Sequence, residues 1–173
     1  LCSKNEKQKK KEQIAMSTYS IQDIIQSTDR YKLYTLMCSQ DGLEDSISWL
    51  HTKKIHTINV GKELAAFIDG LDDFSYLNID VFDYIKKLLY KHKAKINNTG
   101  NEVVAIYNLG ILLEPALELN ATQLLKEFSK TAALIIIWEN QSDIPDRLHW
   151  STQQNNIFLD FTETPLKKLQ YAI

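Results

Sequence analysis

The chain has 173 residues and a mass of 20.0 kDa, and 44% of its residues are hydrophobic. This length suits one globular domain with a core of its own. The formal net charge is only −2, which argues against a folded body that binds nucleic acid tightly through a broad basic face. No apolar run reaches the roughly 18 residues of a membrane-spanning helix.

The first fifteen residues differ in character from the rest of the chain. Residues 1–15 carry five lysines and two glutamates, whereas the remainder is acidic overall. Such a segment is typical of a disordered basic tail, and we expect a single domain over residues 16–173. The two cysteines, Cys2 and Cys38, give no disulfide framework. We therefore expect a reduced, cytoplasmic protein.

Strand-like and helix-like segments alternate along the chain. Aliphatic, β-branched and aromatic residues predict strands at residues 30–38, 55–60, 102–107, 133–138 and 157–161. Polar caps and apolar residues at helical spacing predict helices from Ser20, over residues 42–50 and 62–71, from Asn78 or Asp80 to His92, from Asn120, and after Pro165. This alternation predicts a three-layer α/β fold with a mainly parallel sheet of about five strands.

The segment after the first of these long strands has the length and the setting of a phosphate-binding loop, G-x-x-x-x-G-K-[ST]. Ser39 and Glu44 occupy the two glycine positions, Asp45 occupies the lysine position, and only Ser46 fits; Gly42 lies between them. A phosphate loop surrounds a polyanion with backbone N–H groups and a lysine ammonium. Two carboxylates there would repel phosphate. On local sequence alone, an ordinary strand-to-helix loop with acids in the first helical turn is the favoured interpretation, because an absent motif is poor evidence for its ancestor.

The second half of the chain carries a resemblance to a known family. After the strand at residues 102–107 come Asn108, the apolar run 111–113, the triplet 129–131, Trp138, and residues 148–150. This layout resembles the BrxF-type P-loop proteins of type 3 bacteriophage exclusion (BREX) systems over residues 30–161. The resemblance implies a P-loop NTPase-like fold. It also implies protein partners such as a large ATPase, a PglZ-like phosphohydrolase or a DNA methyltransferase.

The departures from that family pattern concern the residues of nucleotide chemistry. Tyr107 and Gly110 stand where the aspartate and glutamate of the Walker B strand fall, on either side of Asn108, and Lys130 replaces an arginine that could act on a neighbouring subunit. Together with residues 39–46, they predict a pseudo-NTPase without a cofactor. Its function would be protein–protein interaction or self-association in an anti-phage defence system, with Lys130 and Trp138 as candidate interface residues.

Two other functions remain open from the sequence. One is a weak NTPase in which Ser46 and an acid such as Glu114 hold the metal. The other is a nucleic-acid adaptor that uses the lysines of residues 4–11, although the small net charge predicts no more than weak binding by the folded body. The four histidines have no cysteine or paired carboxylate at ligand spacing, so no metal site is expected; they are His51, His56, His92 and His149.

Overall fold

The computed structural model describes residues 18–139, 146–150 and 157–171. Seven strands form one mainly parallel sheet in the order β1-β9-β2-β6-β5-β3, with β4 antiparallel to β5; β7 and β8 form a separate antiparallel ribbon. The strands are β1 (Thr18–Tyr19), β2 (Leu33–Met37), β3 (Thr57–Asn59), β4 (Ala94–Lys95), β5 (Glu102–Tyr107), β6 (Ala133–Trp138), β7 (Arg147–Leu148), β8 (Leu159–Asp160) and β9 (Lys167–Leu169).

Within the described residues, five helices flank the sheet. They are α1 (Ile21–Gln26), α2 (Leu43–Thr52), α3 (Val60–Asp69), α4 (Leu77–His92) and α5 (Ala121–Ser129). Short 3₁₀ turns lie at Gln40–Gly42, Ile96–Asn98, Gly110–Leu113 and Pro115–Leu117. No helix in the described ranges has both the length and the apolar composition to cross a membrane.

Polar side chains cap the amino ends of α1, α3 and α5. Ser20 and Asp23 form a reciprocal capping box at α1, and the Oδ1 atom of Asn120 accepts from the backbone N–H of Gln123 at 3.0 Å. These two predicted starts are confirmed. The predicted cap of α4 at Asn78 or Asp80 is wrong, because the helix begins at Leu77 without a side-chain cap bond.

The sheet separates two apolar cores. One core packs α1 and α2 against one face, and the other packs α3, α4, α5 and the β7–β8 ribbon against the opposite face. Strands β5 and β6 are apolar along nearly their whole length because both of their faces are covered. The predicted three-layer arrangement with a mainly parallel sheet is therefore confirmed at the level of an α/β fold, with two more strands than expected.

The predicted C-terminal helix is wrong, and the predicted strand 157–161 is confirmed only in part. After Pro165 the chain forms β9, which pairs in parallel with both β1 and β2. In this position β9 provides hydrogen-bond partners for the backbone groups of both neighbouring strands. This gain outweighs the helical propensity of a short segment. In the predicted strand 157–161, only Leu159 and Asp160 are extended, and they pair with β7 in the ribbon.

Candidate functional site

The loop at residues 39–46 lies at the carboxyl end of β2, where the chain reverses its course across the sheet. From β2 the chain leaves through α2 on one face, whereas from β6, the neighbouring strand, it leaves through β7 and β8 on the other. In open α/β sheets, ligands bind in the crevice outside the carboxyl ends of strands at such a switch point. The fold therefore places residues 39–46 where a ligand site is expected.

The loop itself folds into a tight turn. The backbone N–H of Gly42 donates to the carbonyl oxygen of Ser39 at 3.0 Å and to its Oγ atom at 3.1 Å. The hydroxyl of Ser46 is fully buried and donates to the carbonyl oxygen of Gly42 at 2.9 Å. Glu44 and Asp45 lie exposed in the first turn of α2, where acids interact favourably with the helix dipole. Some of the hydrogen-bond donors that would surround a phosphate thus already have partners within the loop.

Cys38, Ser46 and Glu139 meet beside this turn. The Cys38 backbone N–H donates to the carbonyl oxygen of Trp138 at 3.1 Å, which joins the ends of β2 and β6. Burial raises the pKa of the Cys38 thiol; the nearby side chain of Ser46 opposes this, and the negative charge of Glu139 adds to it. Cys38 was predicted within the strand but follows it and is half-buried.

Glu139 was not singled out from the sequence. Its Oε2 atom is buried and has no hydrogen-bond partner within the described ranges. Because Glu139 directly follows β6, this oxygen stands at the switch point itself. The available signal was modest: Glu139 is the first charged residue after the long apolar strand β6.

Neutral groups occupy the carboxyl ends of β5 and β3. The Nδ2 atom of Asn108 donates to Oδ1 of Asn59 at 2.9 Å, and the same oxygen caps α3 through the backbone N–H of Lys62 at 3.0 Å. Tyr107 is half-buried, and Gly110 is buried at the start of a 3₁₀ turn. No carboxylate stands at residues 107, 108 or 110, so metal chemistry of the Walker B type has no ligand at these positions.

Lys130 and Trp138 lie at opposite ends of β6, Lys130 before the strand and Trp138 at its carboxyl end, beside the loop. Lys130 follows α5 and precedes β6, so it lies at the amino edge of the sheet, opposite the loop. Its Nζ atom contacts both carboxylate oxygens of Glu127 at 2.7 Å. Trp138 is buried at the carboxyl end of β6, where its Nε1 atom donates to the carbonyl oxygen of His149 at 3.2 Å. Trp138 thus serves the core, whereas Lys130 is accessible at the surface.

The described residues contain no group of three or more His, Cys, Asp and Glu side chains that could hold a metal ion. His51 hydrogen-bonds to the hydroxyl of Thr57 at 2.9 Å, and His92 and His149 hydrogen-bond to backbone carbonyl groups. Three of the four histidines thus have ordinary structural partners. The lysines at residues 4–11, which were candidates for nucleic-acid contact, lie outside the described residues.

Comparison of the chain with protein-family models, with curated proteins and with solved structures finds no match. The likeness to BrxF-type proteins is therefore a hypothesis that depends on the sequence pattern alone. The geometry of the carboxyl edge is independent of that hypothesis.

Proposed function

We propose that this protein is a P-loop-derived subunit that does not hydrolyse nucleotides and acts by binding other proteins in a bacterial anti-phage defence system. The first part of this proposal is the loss of nucleotide hydrolysis. The observation that supports it is the hydrogen bonding within the loop at the switch point. Gly42 N–H and the Ser46 hydroxyl, two groups that a phosphate loop would offer to its ligand, are engaged within the turn.

Electrostatics support the same proposal. Glu44 and Asp45 occupy the second glycine position and the lysine position of the motif, and both are exposed. A like-charge contact at about 4 Å costs roughly 1 kcal/mol in water and about 4 kcal/mol at an effective dielectric constant near 20. Exposure favours the lower figure for each acid. The missing lysine removes a favourable interaction of similar size, so nucleotide affinity should fall by orders of magnitude.

The end of β5 supports loss of the metal site. In a P-loop NTPase, acids after this strand hold the magnesium shell and orient the attacking water. Here Asn108 instead binds Asn59 through its side chain, which joins the ends of β5 and β3. The hydrogen bond between Asn108 and Asn59 thus joins two strands at the position where the resemblance implies catalytic carboxylates.

Calorimetric titration of the full chain with ATP and magnesium, and in parallel with ADP, tests the first part. We expect no heat of binding at millimolar nucleotide. Micromolar binding would overturn the proposal in favour of a weak NTPase. Hydrolysis that disappears in Ser46→Ala would do the same, provided that circular dichroism shows the variant to be folded.

A substitution at Lys130 tests the second part of the proposal, which is binding to other proteins. The ammonium group of Lys130 is accessible at the amino edge of the sheet. Lys130→Glu should reduce assembly with a defence partner or phage protection, because a positive contact becomes repulsive. Lys62→Glu is a matched control: Lys62 is exposed, and its charge change is the same, but it lies in the first turn of α3. Full protection by Lys130→Glu, or an equal loss in both variants, would contradict a specific role for Lys130.

A further inference from the structure

The charges of this protein are separated between the two edges of the sheet. We define the amino edge as the segments that lead into β2, β3, β5, β6 and β9, namely residues 29–32, 53–56, 91–102, 126–132 and 166–167. These segments contain ten lysine and arginine residues and three carboxylates. The cations are Arg30, Lys32, Lys53, Lys54, Lys91, Lys93, Lys95, Lys126, Lys130 and Lys167.

The carboxyl edge has the opposite charge. The segments 38–46, 60–63, 108–118 and residue 139 contain seven acids and one lysine. The acids are Asp41, Glu44, Asp45, Glu63, Glu114, Glu118 and Glu139. A net charge near zero for the whole chain therefore conceals a strongly positive amino edge, which the composition alone did not reveal.

Most cations of the amino edge have no ion-pair partner within the described ranges. Its three carboxylates each pair with one lysine: Glu127 with Lys130, Glu102 with Lys93, and Asp29 with Lys167. The remaining seven cations are left without an ion pair there. Repulsion among these cations raises the electrostatic energy of the protein on its own. A bound anionic ligand would reduce this repulsion.

The crowding is greatest around Tyr31, immediately before β2. Arg30, Lys126 and Lys130 place their charged groups 5.4, 5.7 and 5.6 Å from the centroid of the Tyr31 ring. The buried Lys32 places its Nζ atom 3.4 Å from the Lys130 carbonyl oxygen. The carboxylate of Glu127 also lies in this group, and the cations lower its pKa, with the hydrogen bond from Lys130 contributing most.

Helix dipoles account for part of this pattern but not for all of it. Lys53, Lys91, Lys126 and Lys130 lie at or near the carboxyl ends of helices, where cations contribute about 0.3–1 kcal/mol each. Arg30 precedes a strand and follows no helix directly, so the dipole gives no reason for its charge. Its charge adds to those of Lys126 and Lys130 around the Tyr31 ring, with the carboxylate of Glu127 as their shared counter-charge.

Exposed aromatic surface adjoins these charges. Tyr90, which is 40% exposed, lies with Lys130 on the lining of a groove of about 360 Å³ between α4 and α5. The Nζ atom of Lys93 lies 5.1 Å from the centroid of the Tyr90 ring. Cations beside aromatic rings are the usual means by which proteins hold a nucleic-acid strand without reading its sequence.

We propose that the amino edge binds the phosphodiester backbone of nucleic acid. From β9 to β3 the edge spans four strand spacings, or roughly 19 Å at about 4.8 Å each. This length faces about five or six phosphates of one DNA strand at about 3.4 Å per phosphate. Thr18, the first residue of β1, also lies at this edge, because β1 is parallel to β9. This binding is a further activity and does not depend on the proposed loss of nucleotide chemistry.

Fluorescence anisotropy with the full chain tests the proposal. The probes are fluorescein-labelled oligonucleotides of about 20 residues and mixed sequence, as single-stranded DNA, single-stranded RNA and duplex DNA. Each phosphate contact contributes about 0.9 to the slope of log K against log salt for duplex DNA. At about 0.1 M salt, loss of two contacts should weaken duplex binding roughly 60-fold, and we expect this in Arg30→Glu/Lys126→Glu.

Controls separate this edge from other sources of affinity. Lys53→Glu/Lys54→Glu changes two exposed lysines elsewhere on the same edge and should also weaken binding, whereas Lys62→Glu on the carboxyl edge should change it less than about twofold. Removal of residues 1–15 should leave binding that still responds to the edge variants. Comparing the three probes shows which form of the backbone is preferred.

Four results would overturn the proposal. The first three are absence of binding to all probes at about 50 mM salt, equal losses in the edge and control variants, and binding that depends only on residues 1–15. Displacement of the oligonucleotides by poly-glutamate at equal charge concentration would also overturn it, since this would identify an acidic protein as the better ligand.

Discussion

Gly61→Ala should destabilise the protein, although the substitution places a good helix former in α3. A Cβ atom on Gly61 would lie 2.7 Å from Cγ of Asn108, closer still to its Nδ2 atom, and 3.0 Å from its backbone oxygen. The side chain of Asn108 can rotate away, but only by giving up its hydrogen bond to Asn59. The backbone oxygen is held at the end of β5 and must shift.

The magnitude follows from three contributions. Overpacking of this kind costs about 1–3 kcal/mol, and loss of the hydrogen bond costs about 0.5–1.5 kcal/mol. The helical preference of alanine over glycine offsets up to about 1 kcal/mol. We therefore expect the free energy of unfolding to fall by roughly 1–2 kcal/mol. With an m-value of about 1–3 kcal/mol per molar urea, the midpoint should move by about 1 M.

A double-mutant cycle isolates the proposed cause. Asn108 has a φ angle of 57°, a left-handed conformation that glycine adopts readily. Asn108→Gly removes the side chain that the new methyl group would meet. In that background Gly61→Ala should cost about 1 kcal/mol less than in the natural sequence. Equal costs in both backgrounds, or stabilisation by Gly61→Ala alone, would refute the argument.

Two further predictions concern titratable groups. In a Cys2→Ser background, Glu139→Gln should shift the pH dependence of Cys38 alkylation to lower pH, because one cause of the raised thiol pKa is removed; an unchanged profile would contradict this. The hydrogen bond from Lys167 lowers the pKa of Asp29 below 3.8, so the pair stabilises the fold above that value and loses its effect as pH falls through the lowered pKa. Urea unfolding should therefore show Asp29→Asn to be less stable than the natural protein near pH 6, and the difference should shrink as the pH falls below about 4; a pH-independent difference would argue against the ion pair.

The central strands could be predicted from sequence because their signals are local. The predicted bounds 102–107 and 133–138 agree with β5 and β6, since a strand buried on both faces must be apolar throughout. The caps at Ser20 and Asn120 were equally readable. Strand β9 was missed, because its pairing with β1 and β2 is a property of distant segments and not of residues 167–169 themselves.

The candidate sites show the same difference between local sequence signals and contacts between distant segments. Residues 39–46 were found because a loop between strand and helix is contiguous in sequence, and the structure places them at the switch point. Glu139 was missed because its meeting with Cys38 requires β2 and β6 to be neighbours, although nearly a hundred residues separate them in the chain. The cations around Tyr31 come from residues 30–32 and 126–130, two segments that are distant in the sequence. Composition therefore predicted no basic surface.

Lys130 connects the two proposals, because it belongs to the amino edge and not to the loop region. A partner protein that contacts Lys130 would meet the Tyr31 cluster of cations and the groove that contains Tyr90. Such a partner would cover part of the surface that we assign to nucleic acid. The acidic carboxyl edge would stay free in either case, and its charge would repel nucleic acid and thereby orient the protein on a polyanion. The direction of the charge separation thus predicts which edge faces a ligand, even though the net charge of the chain is small.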